Sequence, residues 1–216
     1  MYQPRHFEVH DREAMLALVA AYPLATLVMS TADGLQANHI PLYAHFDEAG
    51  DLQLHGHVAR ANPLWRDGLA DREVLAVFTG PQAYVTPSWY PGKREHGKAV
   101  PTWNYTVVHA HGSLRVHDDK RWLRAQVDEL TKRHERTRDP AWSIDEAPAD
   151  YLDAMLGAIV GIELRVSRLE GKFKLSQNQS AANKAGVLAG LSAEAAAPAR
   201  AVADAMRSIT LNSTLS

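Results

Sequence analysis

Residues 54–65 read LHGHVARANPLW and place His55, His57, Arg60 and Asn62 in one short run. Side chains two apart on a strand share a face, so His55 and His57 form a pair that could chelate a metal or move protons. His109 and His111 repeat the H-x-H spacing. Yet VARANP follows the first pair and GSLRV the second, with no carboxylate, and Arg60 and Arg115 put a cation near each. Half-exposed histidines used as hydrogen-bonding groups are the simpler reading, and no metal is expected. Arg60 and Asn62 point to different chemistry. Asn62 suits a helix N-cap with Pro63 at the first helical position, and a helix N-terminus offers unpaired N–H groups and partial positive charge. An arginine added there makes a phosphate site; the alternative is a surface arginine beside an ordinary capped turn. Near the other end, KFKLSQN (172–178) alternates Lys172 and Lys174 with Phe173 and Leu175, then sets Ser176, Gln177 and Asn178 in a row. Cations and amides at a strand end, with the aromatic segments VPTWNY and PSWY elsewhere in the chain, suit a planar heterocycle bearing a phosphate. A solvated strand edge is the competing reading.

Composition removes several classes. The 216 residues contain no cysteine, which excludes disulfides, thiolate metal sites and cysteine nucleophiles. Hydrophobic residues make up 46% and charged residues 22%, as in globular chains. A net charge of −2 provides no global basic field for nucleic acid. There is no G-x-S-x-G, no Walker loop and no G-x-G-x-x-G. MYQPRHFEVHDRE lacks the apolar core of a signal peptide, and no run reaches the roughly 20 apolar residues of a membrane helix. A cytoplasmic protein with no membrane partner is expected.

The elements that must position these residues follow from periodicity. Asp11 caps a helix carrying Met15, Leu18, Val19 and Tyr22, which Pro23 ends. LATLVMS reads as a buried strand, TADG as a turn with Gly34 at positive φ, and LQANHIPLYAHF as a second strand. After the turn DEAG, DLQLHGH gives a third strand, completing a meander. NPLWRDGLAD predicts a short helix and GKREHGK an exposed basic loop. Strands are predicted in EVLAVFTG, QAYVTPSWY, TWNYTVVHAHGSLRVH and AIVGIELRVSRLEGKFKLS. Helices are predicted over 118–136, with Trp122, Leu123, Val127 and Leu130 inward, in YLDAMLG, and in the last forty residues. Residues 1–216 are expected to form a single α+β domain on a small antiparallel barrel, with a helical segment from about 178 to 216.

The segments MYQPRHF, NHIPL, GHVARANPLW, VFTGPQAYVTPSWY, VPTWNY and KFKLSQN together resemble the PaiB-type FMN-binding negative transcriptional regulators of the flavin split-barrel superfamily. The resemblance runs nearly end to end. It implies an antiparallel split β-barrel with flanking helices, a homodimer, and FMN at the subunit interface. By the wider split-barrel pattern, QANHIPLY and LHGHVARANPLW meet the phosphate and ribityl chain. Asn38 stands where relatives carry a basic residue, and Gln179 where they often place another. The implied cofactor-binding residues are Asn38, His39, His57, Arg60, Asn62, Trp103, Lys174, Ser176, Gln177 and Asn178. A transcriptional regulator or flavin-dependent sensor is the function this implies. No helix-turn-helix is identifiable, so DNA is a weakly supported partner. A flavin-dependent oxidoreductase, or a haem-binding or haem-degrading enzyme, is the alternative.

Overall fold

The structure is a computed structural model that describes residues 1–66, 72–93 and 97–212. The end of the helix predicted at 62–71 and the middle of the loop at 92–98 lie outside the described residues. The fold is α+β, an eight-stranded antiparallel sheet with five α-helices among the described residues. The strands are β1 (Glu8–Val9), β2 (Leu24–Thr31), β3 (Gly34–Pro41), β4 (Tyr43–Phe46), β5 (Leu52–Ala59), β6 (Glu73–Val85), β7 (Thr102–His117) and β8 (Ile159–Lys174). The helices are α1 (Arg12–Ala21), α2 (Lys120–Glu135), α3 (Ala149–Gly157), α4 (Ala181–Ala193) and α5 (Ala197–Asn212). The strand order is β3-β2-β6-β7-β8-β5-β4, with β1 pairing to β8.

The chain divides into two compact units. One, the curled-sheet unit, holds Val19–Phe78 and His109–Leu169. Its strands β2 and β3 form the hairpin predicted at TADG, with Gly34 at φ +109°. β2 is not wholly buried, as expected, but alternates: Ala25, Leu27 and Met29 face the core while Leu24 is exposed. The predicted strand 35–46 is two strands, divided at Leu42, whose N–H makes the last bond of the β2–β3 ladder to Pro23 O at 2.9 Å. β3 therefore pairs with β2, and β4 pairs with β5 through the turn at Asp47, whose Oδ1 accepts from Ala49 and Asp51 N–H. The expected meander is thus two hairpins at opposite ends of the strand order. The sheet curls so that these ends approach. A Cβ on Gly56 of β5 would lie 2.7 Å from Pro41 O and 2.7 Å from a Leu42 methyl, so only glycine permits the approach. Asp119 caps α2, accepting from Trp122 N–H at 2.8 Å. Its inward residues are Leu123 and Gln126; Trp122, Val127 and Leu130 are only partly covered.

The other, the helix-capped unit, holds Met1–Leu18, Thr79–Val108 and Glu170–Ser216. Asp11 Oδ1 caps α1 through the N–H groups of Glu13 and Ala14, as predicted, and Met15 and Leu18 are buried. α4 and α5 supply Val187, Leu191, Val202, Ala203 and Met206 to a core shared with Ala83, Val85, Tyr90 and Leu175. Trp89 lies against α4 at Gly186 and Gly190, whose lack of side chains admits it.

Candidate functional site

The strand-to-turn corner after β5 contains most of the polar run at 54–65. Ala59 O accepts from Asn62 N–H, and the predicted short helix begins at Pro63 as a 3-10 helix, Pro63–Trp65. Asn62 caps it, accepting from Leu64 N–H at 2.9 Å, and donates from Nδ2 to Asn38 Oδ1 at 2.9 Å. The structure thus brings Asn38 and Asn62 together across β3 and the corner. Arg60 makes a fork to Asp118, with NH1 to Oδ2 at 2.9 Å and NH2 to Oδ1 at 2.5 Å. Its Nε donates to Gly157 O at 2.7 Å and NH2 also donates to Ile159 O at 3.0 Å. The guanidinium holds the Asp118 carboxyl below its ordinary range, mainly through the hydrogen bonds of the fork. Arg60 O in turn accepts from the Trp65 indole N–H at 2.9 Å.

The two histidines of β5 go to different partners. His57 Nδ1 lies 2.8 Å from Gln126 Oε1 of α2, while Gln126 Nε2 is buried without a partner. His55 is 7% exposed, stacks on His45 at 4.5 Å between ring centres, and lies 2.9 Å from Gln53 Oε1. Glu163 of β8 is buried beside it, accepting from His117 Nε2 at 2.8 Å and from Arg165 Nε at 2.9 Å. His117 stacks flat on Trp122, 4.1 Å away. Burial and the His45 neighbour push the His55 pKa down to about 4, outweighing the pull of Glu163, so its ring is neutral near pH 7. In the second pair, His111 Nδ1 lies 3.8 Å from a Glu73 oxygen. Carboxylates thus reach both pairs from neighbouring strands, which the spacing along the chain could not show. His39 extends from the exposed face of β3, with Nδ1 3.2 Å from Thr26 Oγ1.

The remaining predicted residues belong to the helix-capped unit. Lys174 ends β8, and its Nζ donates to Thr102 Oγ1 at 2.5 Å and Trp103 O at 2.8 Å. Desolvation lowers its pKa, and the charge of Lys172 adds to this. Ser176 then takes a left-handed conformation at φ +66°, which turns the chain. Its buried hydroxyl meets the buried Asn104 amide at 3.0 Å from Nδ2. Lys174, Ser176 and Asn178 line one cavity with Asn104, Gln179 and Asn183. Gln177 faces elsewhere: its Oε1 accepts from Leu175 N–H and its Nε2 donates to Phe173 O, closing the turn. Trp103 is 52% exposed, edge-on to exposed Tyr84 with ring centres 6.2 Å apart. Asn104, Lys93 and Lys98 were missed by the sequence reading. The lysines lie in a loop without periodicity, and Asn104 alternates inward on β7 where an apolar residue is expected.

The curled antiparallel sheet with its flanking helices has the architecture of a split β-barrel. Residues 1–168 match the family described as "Putative FMN-binding domain", and the chain belongs to that family, with FMN as its cofactor. Among its relatives is the Bacillus subtilis protease synthase and sporulation protein PAI 2, 32% identical over 207 residues, 95% of this chain and 96% of the relative. The fold resembles the flavocytochrome Anf3 of Azotobacter vinelandii (TM-score 0.57, 13% identity, 77% of this chain and 69% of that one). It also resembles the FAD and haem binding protein of Mycobacterium smegmatis (TM-score 0.57, 19% identity, 77% and 73%). The residues present fit such a cofactor: exposed indole and phenol rings offer stacking surface, and a lysine with side-chain amides offers donors to phosphate or ring oxygens. No described helix is long and apolar enough to cross a membrane.

Proposed function

We propose that this protein is an FMN-binding regulator or flavin-dependent sensor that acts as a homodimer. FMN is received by Asn38, His39, His57, Arg60, Asn62, Trp103, Lys174, Ser176, Gln177 and Asn178. The observation that supports this most is the folding of VPTWNY against KFKLSQN: Asn104 meets Ser176, and Lys174 meets Thr102 and Trp103. Two segments some seventy residues apart thereby place a cation and side-chain amides at one cavity, donors that a phosphorylated ligand requires. Gln177 contributes by fixing the turn that presents Ser176 and Asn178. The net charge of −2 favours regulation through a small molecule or protein partner over direct DNA binding. A cytoplasmic location suits this reading.

The purified protein is expected to be yellow, with a flavin absorbance spectrum; a colourless protein that takes up no added FMN refutes the reading. Arg60→Ala is expected to weaken FMN binding, and Arg60→Lys to recover only part of it, because a point charge cannot reproduce the planar fork to Asp118. A lower melting temperature with unchanged FMN affinity would restrict Arg60 to bracing the corner and move the phosphate elsewhere. The dimer rests on exposed apolar residues, Tyr84, Val100, Trp103, Leu24 and Leu35 among them. Sedimentation should show a dimer at micromolar concentration, and a stable monomer rules out an interface flavin site. A flavin-dependent oxidoreductase or haem-binding enzyme is the second reading, favoured by the fold shared with the flavocytochrome and the FAD and haem binding protein. Reduction of the bound flavin by a nicotinamide under anaerobic conditions, or a Soret band, selects it.

A further inference from the structure

Between β4, β5 and α2 of the curled-sheet unit lies a cavity of about 360 Å3, at the lower end of the roughly 300–1,000 Å3 range of ligand pockets. Among the described residues that line it, none is proposed to receive FMN. Its walls are aromatic. His45 stacks on His55 with ring centres 4.5 Å apart, Tyr43 and His55 meet edge to face at 5.7 Å, and Trp122 lies tilted to His55 at 5.2 Å. Further contacts hold these rings: His117, anchored by Glu163, stacks flat on Trp122, and the Arg133 guanidinium lies 4.6 Å from the centre of Tyr43.

The charge at this lining is compensated. The carboxylate of Glu129 accepts from Arg133 Nε at 2.7 Å. Burial pushes the Tyr43 phenol up to about 12, and among the described residues no Lys or Arg lines the cavity. An ion entering would shed its water without meeting a free opposite charge, so the site suits an uncharged ligand.

Two buried side chains on the lining have hydrogen-bonding capacity to spare. Gln126 is 2% exposed; its Oε1 accepts from His57 Nδ1, and its Nε2 has no partner. Such an orphaned amide costs folding free energy, which a ligand oxygen would restore. The second is His55. Gln53 Nε2 donates to Asp47 Oδ2 at 3.2 Å, which leaves Gln53 Oε1 for His55 Nε2. That oxygen only accepts, so His55 carries a proton on Nε2, and its neutral ring keeps a lone pair on Nδ1. A donor and an acceptor thus stand among aromatic rings that can stack on a planar ligand.

We propose that this cavity binds a small uncharged heteroaromatic compound of the nucleobase class, a ring carbonyl accepting from Gln126 Nε2 and a ring N–H donating to His55 Nδ1. The proposal stands on this cavity alone and does not depend on the FMN reading.

The test is calorimetric titration of the FMN-loaded protein with uracil and hypoxanthine, and with toluene and benzoate for comparison. At least one base is expected to bind tenfold or more tightly than either comparison compound. Ala125→Leu puts a larger side chain on the lining from an exposed helical position. It should cost tenfold or more in base affinity while leaving FMN affinity and melting temperature unchanged, since leucine is nearly as good a helix former as alanine. Gln126→Met keeps the length but removes the amide, and should bring the base down to the affinity of toluene. Failure of both bases to bind means that the cavity holds water only and overturns the proposal, as does toluene binding as tightly as the bases. Unchanged base affinity in Ala125→Leu overturns it by placing the bound base elsewhere. Loss of FMN from Ala125→Leu also overturns it, by making the cavity part of the cofactor's own seat. A wild-type protein that takes up no FMN but binds a base, with that binding lost in Ala125→Leu, upholds the cavity assignment and refutes the flavin reading.

Discussion

Gly186→Ala is expected to destabilise the protein by about 1–3 kcal/mol, the usual cost of forcing extra atoms into a packed site. Helix propensity alone predicts the opposite sign, because alanine in place of glycine inside a helix is worth up to about 1 kcal/mol. Packing decides. A Cβ at Gly186 of α4 would lie 2.0 Å from Trp89 O and 3.1 Å from the Pro91 ring. The first contact is with backbone, which no rotamer change relieves. Trp89 sits in the 3-10 helix Pro87–Trp89, and α4 packs Val187 and Leu191 into the core directly beside Gly186. The variant must push α4 and that turn apart or distort both. Melting temperature should fall by about 2–4 °C for each kcal/mol in a chain of this size. Gly157→Ala is the matched control. Gly157 ends α3, has ordinary φ, and a Cβ there would meet nothing within 4 Å. Its substitution should be neutral or slightly stabilising, and equal losses at both positions would show that the Trp89 contact is not what requires glycine.

The contrast between these glycines also shows what the sequence could and could not reveal. Features set by a residue and its immediate neighbours were legible. Asp11 caps its helix, Asn62 caps its turn, and Gly34 takes the positive φ its turn requires. Local signals are carried by one side chain and one or two N–H groups, so they survive without tertiary context. The break at Leu42 was illegible because it marks where the chain changes partner from β2 to β5, which no local pattern shows. Gln126 was passed over because its period places it among inward residues, and only the fold reveals His57 opposite it. The row Ser176, Gln177, Asn178 was correctly seen as polar, but its geometry was hidden. Strand alternation stops at Ser176, whose left-handed turn brings Asn178 to the cavity with Lys174 and sends Gln177 back to its own backbone. Of the candidate site, residue types were readable and directions were not, since direction depends on one backbone angle that few residues advertise.

The protein is expected to lose about 3 kcal/mol of stability between pH 6.5 and pH 4 through His55 alone. The sign follows from proton counting. In the unfolded chain an imidazole binds its proton near pH 6.5, whereas in the fold the His55 pKa is pushed down to about 4. Between those values the unfolded state holds one more proton, so stability rises with pH across the window and falls as acid is added. The full benefit is present above pH 6.5 and is exhausted near pH 4. A displacement of this size corresponds to about 1.4 kcal/mol per pH unit traversed. The cause is burial first, then repulsion from His45, His117 and Arg133, with Glu163 offsetting part of it. Glu163 acts in a lower window. Burial pushes its pKa up, but the hydrogen bonds from Arg165 and His117 outweigh this and leave it below 4.5. Its stabilisation is complete above the unfolded value of about 4.5 and disappears as pH falls through the folded one. Denaturant unfolding at half-unit pH intervals should therefore show a slope beginning near pH 6.5. His55→Gln, which keeps an amide donor near Gln53 but cannot titrate, should flatten the curve between pH 6.5 and 4 and leave the steeper fall below pH 4.5. Wild-type and variant curves that run parallel across that window would mean that His55 stays protonatable in the fold, and that the space between β5 and α2 admits the water its burial denies.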